Sequence, residues 1–241
     1  MAPTEVRFRQ ANATDLPAVA AVYLASRTAA MPAMPPMAHE PAEVVEYVAS
    51  WNLDVRDLWL AEVDGHVAGF ANLTGSWLDD LYVHPDFAGQ GIGTGLLDVI
   101  KGVSPEGFCL WVFETNTPAR DFYQRHGLVE LERTDGQANE ERSPDIKMAW
   151  PGNEPMKFFR GLIDGVDDQL AHLFAQRFAL THGVQGFKPR GGHAGRDLER
   201  EHQIAQRMAA MTGLPVQSLE PIVHTLIEQA LDLHEKMEHT T

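Results

Sequence analysis

One cysteine in 241 residues, Cys109, has no partner for an internal disulfide and no second thiol for a zinc ribbon or a dithiol redox centre. It lies inside the apolar run GFCLWVF, so a core position is expected for it. No run of about 20 apolar residues is present to cross a bilayer. The opening MAPTEVRFRQ lacks the apolar centre and cleavage pattern of a signal peptide, so a cytoplasmic setting with no membrane partner is expected. Basic residues are also scarce. With 19 Lys and Arg against 34 Asp and Glu the net charge is −15, which argues against a nucleic-acid partner, because neutralising phosphates needs a basic surface. The 11 histidines show no spacing with carboxylates that builds a metal site, and no metal is expected.

The acidity is uneven. Residues 1 to 155 hold 10 basic and 23 acidic residues, net −13, whereas 156 to 241 hold 9 and 11, net −2. An anionic ligand is easier to hold in the second part, and any anion bound by the first must rely on backbone dipoles. The segment WPGNEP marks a boundary, since its prolines and glycine end one element and delay the next. Two domains are expected, residues 1–150 and 156–241, joined by a linker at 151–155.

Before the linker, helical and strand patterns alternate. Helices are expected over 13–27, 41–52, 93–102 and 118–126. Strands are expected at 58–73, folded back across Asp64-Gly65, a strong hairpin signal, and at 77–85, 108–114, 128–133 and 145–150. After the linker every pattern is helical: about 156–188, 195–211, and from beyond Pro215 to 238. A first helix that long commonly packs against a partner subunit.

Between strand and helix, GQGIGTGLL places glycines at 89, 91, 93 and 95. Successive amides at a helix start can face one anion, a phosphate-binding geometry, although tight packing alone would use glycines in the same way. Together with NTPARDFYQRHGL some twenty residues later, LYVHPDFAGQGIGTGLL resembles the GNAT superfamily of acetyl-CoA-dependent acyltransferases over residues 4 to 150. The resemblance implies an α+β fold, a mixed sheet flanked by helices. It also implies that Gln90, Gly91, Gly93 and Gly95 cradle the pyrophosphate of acetyl-CoA. Backbone groups from Leu81 to Val83 would then pair with the pantetheine arm, and Asn116 and the helix after it would complete the site. Acyl transfer needs an uncharged amine and a proton for the departing thiolate. By resemblance Tyr123 is the candidate acid, or else an aromatic packed on the sheet; Glu114, Asp79 and Asp80 are candidate bases, or else solvated strand-end charges. The acceptor stays open.

In the helical part, Arg177 and Lys188 are 11 residues apart and share a helix face. Arg160 is 17 residues earlier, about 100° around and about 25 Å along the axis. One small ligand can meet all three only if Arg160 comes from a second copy, which predicts an intertwined homodimer. RDLERE follows at 196–201. The spacing of Arg160, Arg177, Lys188, Asp197, Arg200 and Glu201 resembles the all-helical (type II) chorismate mutases over 156–238, and implies an all-α three-helix domain placed after the α+β one. Arginine forks would hold the two carboxylates of chorismate, Lys188 would donate to the ether oxygen, and Asp197 and Glu201 would orient the substituent at C4. Arg200 would support that pair or the carboxylate end. The chain departs from the family at His234, where a Gln or Glu is usual, and at Ala230, where a small hydroxyl is usual. His234 is either a donor, stronger when protonated, or a surface histidine near the chain end. The substitution leaves 4-amino-4-deoxychorismate or isochorismate open as substrates, with the first domain a silent acetyl-CoA-binding module; the leading reading is a bifunctional enzyme of aromatic amino acid biosynthesis.

Overall fold

The computed structural model describes residues 5–185, Phe187 and 197–238. Contacts divide the chain into two compact units, Met1–Gly161 and Leu162–Thr241.

The first unit is a seven-stranded sheet in the order β1-β2-β3-β4-β5-β7-β6. Its elements run β1 (Val6–Gln10), α1 (Leu16–Ala29), α2 (Pro41–Ala49), β2 (Asp57–Val63), β3 (His66–Thr74), β4 (Trp77–Val83), α3 (Ile92–Val103), β5 (Phe108–Phe113), α4 (Thr117–Arg125), β6 (Val129–Arg133) and β7 (Asp145–Trp150). This is the mixed sheet flanked by helices that the sequence pointed to. Asp64 and Gly65 both take positive φ, 50° and 80°, the tight turn that lets β2 and β3 twist together. Cys109 is buried, as expected. The first helical segment opens as a 3₁₀ turn, Ala13–Asp15, capped by Asn12, and only then becomes α1, which runs on to Ala29. β1 was not anticipated. In VRFRQ, Val6 and Phe8 pack against the core, and the strand pairs with β2 from Val6↔Val63 to Gln10↔Trp59.

The sheet has a core on each face. One gathers Leu96, Leu97 and Ile100 of α3, Tyr123 of α4, and Phe108, Leu110, Ile146 and Met148 of the strands. The other gathers Val19 and Val22 of α1, Val44 and Val48 of α2, and Leu60 and Phe70. Each large side chain removed from water in this way contributes roughly 1.5–3 kcal/mol before entropy is charged against it. Every strand pair is antiparallel except β4 with β5, which meet in parallel only at Trp77↔Cys109 among the described residues. Beyond that pair no ladder joins the two strands toward Val83 and Phe113, and this unpaired stretch in the middle of the sheet forms the wedge between β4 and β5.

The second unit contains most of α5 (Pro155–Gln185), then α6 (Leu198–Thr212) and α7 (Val216–Glu238). Gly213 at φ 70° ends α6, and α6 packs on α7 through Ala205, Leu219 and Val223. Asp197 is the N-cap of α6, its carboxylate accepting the Arg200 N–H at 2.9 Å. α6 therefore begins at Leu198, inside the RDLERE segment, and Asp197 is not part of a continuous helix face. On α5 the apolar residues Ile163, Val166, Leu170, Leu173 and Leu180 are exposed.

Candidate active sites

The glycine-rich turn leads into α3. Gly91, at φ 81°, is the N-cap and supplies no side chain to the first amides of the helix, which stay available to an anion. A Cβ at Gly89 or Gly91 would meet nothing within 4 Å, so the space before the turn is open. Gly93 borders Phe122 and Val83 at ordinary contact distance. Gly95 has a different reason: a Cβ there would come within 2.2 Å of the Phe8 ring, so its lack of a side chain lets β1 close onto α3. The Gln90 amide donates to the Asp86 carbonyl at 3.4 Å. Asn116 caps α4, accepting the Ala119 N–H at 3.3 Å.

Leu81, Tyr82 and Val83 pair with β3 on one side, and their other edge faces the wedge, where no ladder joins them to β5. The Val83 carbonyl accepts the Ser26 hydroxyl. The structure separates the three carboxylates that sequence treated alike. Asp79 is exposed, accepting from Thr74 Oγ1 at 2.6 Å and facing Arg56 at 3.5 Å. Glu114 is held by Arg133 at 2.8 Å, both about half exposed. Asp80 is shielded, accepts from Asn72 Nδ2 at 2.9 Å, and burial pushes its pKa up to about 6 against the Asn72 hydrogen bond. Asn72 is fully buried, and its Oδ1 finds no donor among the described residues. A buried acceptor beside a half-buried carboxylate suits a ligand rich in N–H donors. Tyr123 is buried, its pKa raised by burial and then by the Asp80 charge, so its hydroxyl stays protonated.

Sequence reasoning missed Asn72, Arg27, Glu141 and the side chains of Tyr23 and Tyr82. Burial raises the pKa of both tyrosines, and Asp80 acts on each. Arg27, almost fully buried, pairs with Glu141 at 2.8 Å. Their sequence separation of 114 leaves no local signal.

In the second unit, Glu201 is buried and lines a cavity of ≈ 470 Å³ with Leu198, His202, Glu220, Pro221, His224 and Thr225. His224 Nδ1 lies 3.6 Å from the Glu201 carboxylate, and His202 bonds Glu220 at 2.7 Å. Arg177 donates to the Leu226 carbonyl at 3.3 Å. The His234 ring meets His182 Nδ1 to Nδ1 at 2.8 Å, so one ring donates and the other accepts. These two contacts join α5 to α7. Arg160 is exposed on α5, and Arg200 is exposed on α6. Lys188 lies outside the described residues. Glu201, Arg177 and His234 thus line different contacts in the single chain. Among the described residues no group of three or more His, Cys, Asp and Glu is poised to hold a metal, and no described helix is long and apolar enough to cross a membrane.

The family model for the acetyltransferase (GNAT) domain matches residues 54–130, and that for chorismate mutase type II matches residues 159–235. Peptidyl-lysine N-acetyltransferase YjaB of Salmonella typhimurium is 39% identical over 88 residues, 36% of this chain and 59% of that protein. An uncharacterized N-acetyltransferase, MJ1207 of Methanocaldococcus jannaschii, is 32% identical over 98 residues, 34% of this chain and 43% of that protein. The chain therefore spans about half the length of these curated relatives. The solution structure of apo YjaB from Escherichia coli is 25% identical with a TM-score of 0.51, covering 61% of this chain and 99% of that one. A GCN5-related N-acetyltransferase from Rhodopseudomonas palustris shares the fold at 23% identity and a TM-score of 0.52, covering 63% of this chain and 98% of that one.

Proposed function

Since one chain carries a GNAT acetyltransferase domain and a type II chorismate mutase domain, we propose that it is a bifunctional enzyme: the first unit acetylates an amine with acetyl-CoA, and the second rearranges chorismate to prephenate. The first reading rests on the wedge between β4 and β5, with Asp80 and Tyr123 near its open end. Acetyl-CoA supplies the thioester. The open α3 N-terminus at Gly91 suits its pyrophosphate, and the edge of β4 from Leu81 to Val83 that β5 leaves unpaired suits its amide-bearing arm. The amine arrives as an ammonium, and the Asp80 carboxylate, about half ionised near pH 6, takes one proton. The freed lone pair forms the N–C bond to the thioester carbonyl, the C–S bond breaks, and the second ammonium proton is released as the amide forms. Tyr123 protonates the departing thiolate and regains its proton from solvent. Acetyl-CoA and amine become acetamide and CoA thiol. The Salmonella relative's name specifies peptidyl-lysine, a primary amine, which belongs to the same acceptor class.

The second reading rests on Arg160, Arg177, Lys188, Asp197, Arg200 and Glu201 keeping the mutase spacing. The rearrangement needs the reactive conformer held and the negative charge on the breaking ether oxygen met by donors. Arg177 serves one carboxylate and Arg160 of a second copy the other, Lys188 the ether oxygen, and Asp197 and Glu201 the ring substituent, with Arg200 supporting them and His234 as a further donor. The exposed apolar residues of α5 support a homodimer, because a contiguous apolar face of this kind ordinarily meets a partner. Loss of chorismate absorbance with the full chain, product confirmed as prephenate by mass, tests the mutase; Arg177→Ala abolishes it if the reading holds. Release of CoA thiol on adding amines tests the transferase. A folded protein with neither turnover refutes the proposal.

A further inference from the structure

The mechanism leaves the body of the acceptor unassigned. A cavity of ≈ 390 Å³ opens at the C-terminal end of β5, its walls including Trp111, Phe113, Asn139, Glu141 and Asp145. Phe113 is the last residue of β5, where no ladder joins the strand to β4. Trp111, 44% exposed, stacks on Trp77 with the planes 10° apart and the centroids at 6.4 Å, which holds its ring as a flat wall. Arg27 ties this cavity to the reaction centre: it pairs with Glu141 and lies 5.5 Å over the Phe113 ring. Tyr23, one turn before Arg27 on α1, packs on Tyr82 of β4 with the ring centroids 4.9 Å apart, so the helix that carries Arg27 also covers the strand that carries Asp80.

The charges of this cavity are already matched or negative. Arg27 is committed to Glu141, while Asp145 accepts from Thr134 and from Asn139 Nδ2, the latter at 3.0 Å. Neither Lys nor Arg is among the lining residues. A carboxylate entering here would lose water and meet carboxylates in return. A flat apolar ring would lie against Trp111 and Phe113, and a volume of a few hundred Å³ suits a small ring system. On the reading of the first unit as an acetyltransferase, we infer that this cavity holds the acceptor's body, and that the acceptor is a primary amine on an aromatic body with no carboxylate beside the amine.

The test uses the full chain with acetyl-CoA and four acceptors: 2-phenylethylamine, n-butylamine, L-phenylalanine and a short lysine-containing peptide. The expected result is a kcat/KM for 2-phenylethylamine at least about tenfold above each of the others, the order of discrimination that a ring-sized apolar contact gives. Trp111→Ala lowers kcat/KM for 2-phenylethylamine about tenfold more than for n-butylamine, and Trp111→Phe restores the difference. Preferred transfer to butylamine, phenylalanine or the peptide overturns the acceptor class while the acetyltransferase stands. Acetyl-CoA bound in a calorimetric titration but passed to none of the four overturns it equally. Failure to bind acetyl-CoA at all overturns the reading underneath.

Discussion

On the proposed function, replacing Asp80 by Asn is expected to make the chain more stable and less active, and both changes follow from one shielded carboxylate. Burial lifts its pKa from the ordinary 3.8 to about 6. Because the folded value is raised, the folded state binds more protons between those limits, and stability is lost as pH rises through them. At 1.36 kcal/mol per pH unit, holding the charged form costs about 1 kcal/mol at pH 4.5 and about 3 kcal/mol at pH 7.5. Asn carries no such cost, and its carbonyl can still accept from Asn72 Nδ2 as Asp80 does at 2.9 Å. Urea unfolding of Asp80→Asn against the parent, followed by tryptophan fluorescence of the first unit, should therefore show a gain about 2 kcal/mol larger at pH 7.5 than at pH 4.5. Over the same range acetyl transfer by the parent rises through about pH 6, and the variant loses that limb and about 10²-fold or more in kcat. A stability difference that does not change with pH refutes the charge penalty. A kcat within about threefold of the parent refutes the proton-acceptor role.

Gly95→Ala is expected to destabilise the first unit by about 1–3 kcal/mol through overpacking against Phe8, and Phe8→Leu in the same chain should recover most of that; additive losses would show that the contact is not the cause. Equal mixtures of Arg160→Ala and Arg177→Ala chains, refolded together, should regain about a quarter of the parent mutase activity, because half the dimers are mixed and each has one intact site; no recovery would place Arg160 and its site in one chain. His234→Gln, which restores the usual residue of the family, should retain chorismate turnover, whereas His234→Ala should lower it about tenfold or more.

What was legible in the sequence is what is encoded locally. Asp64-Gly65 specifies its own turn, Asn116 specifies a helix start, and the glycines at 89–95 mark a strand passing into a helix. β1 was not read because five alternating residues are a weak pattern and its partner β2 begins some fifty positions later. Asp79 and Asp80 are adjacent in sequence and could not be separated there. A register shift at Asn72/Leu73 sets Asp80 opposite Asn72 and leaves Asp79 exposed beside Thr74. The place of Asp197 depended on where α6 begins, and a cap is distinguished from a helix-face residue only by backbone geometry. The pairing of His182 with His234 joins residues 52 apart and left no trace in spacing.

A proline-rich junction such as WPGNEP suggests itself as the place to cut a gene in two. Here the cut would fall short. The Phe158 ring of α5 lies so close to Gly107 that a Cβ there would come within 2.5 Å of it, and Lys157 faces Glu106 at 3.5 Å. A fragment ending at Trp150 would be delivered with that face stripped of its covering ring, and poor solubility would then be mistaken for a need of the second unit. The division at Gly161 within α5 keeps the ring with the surface it covers.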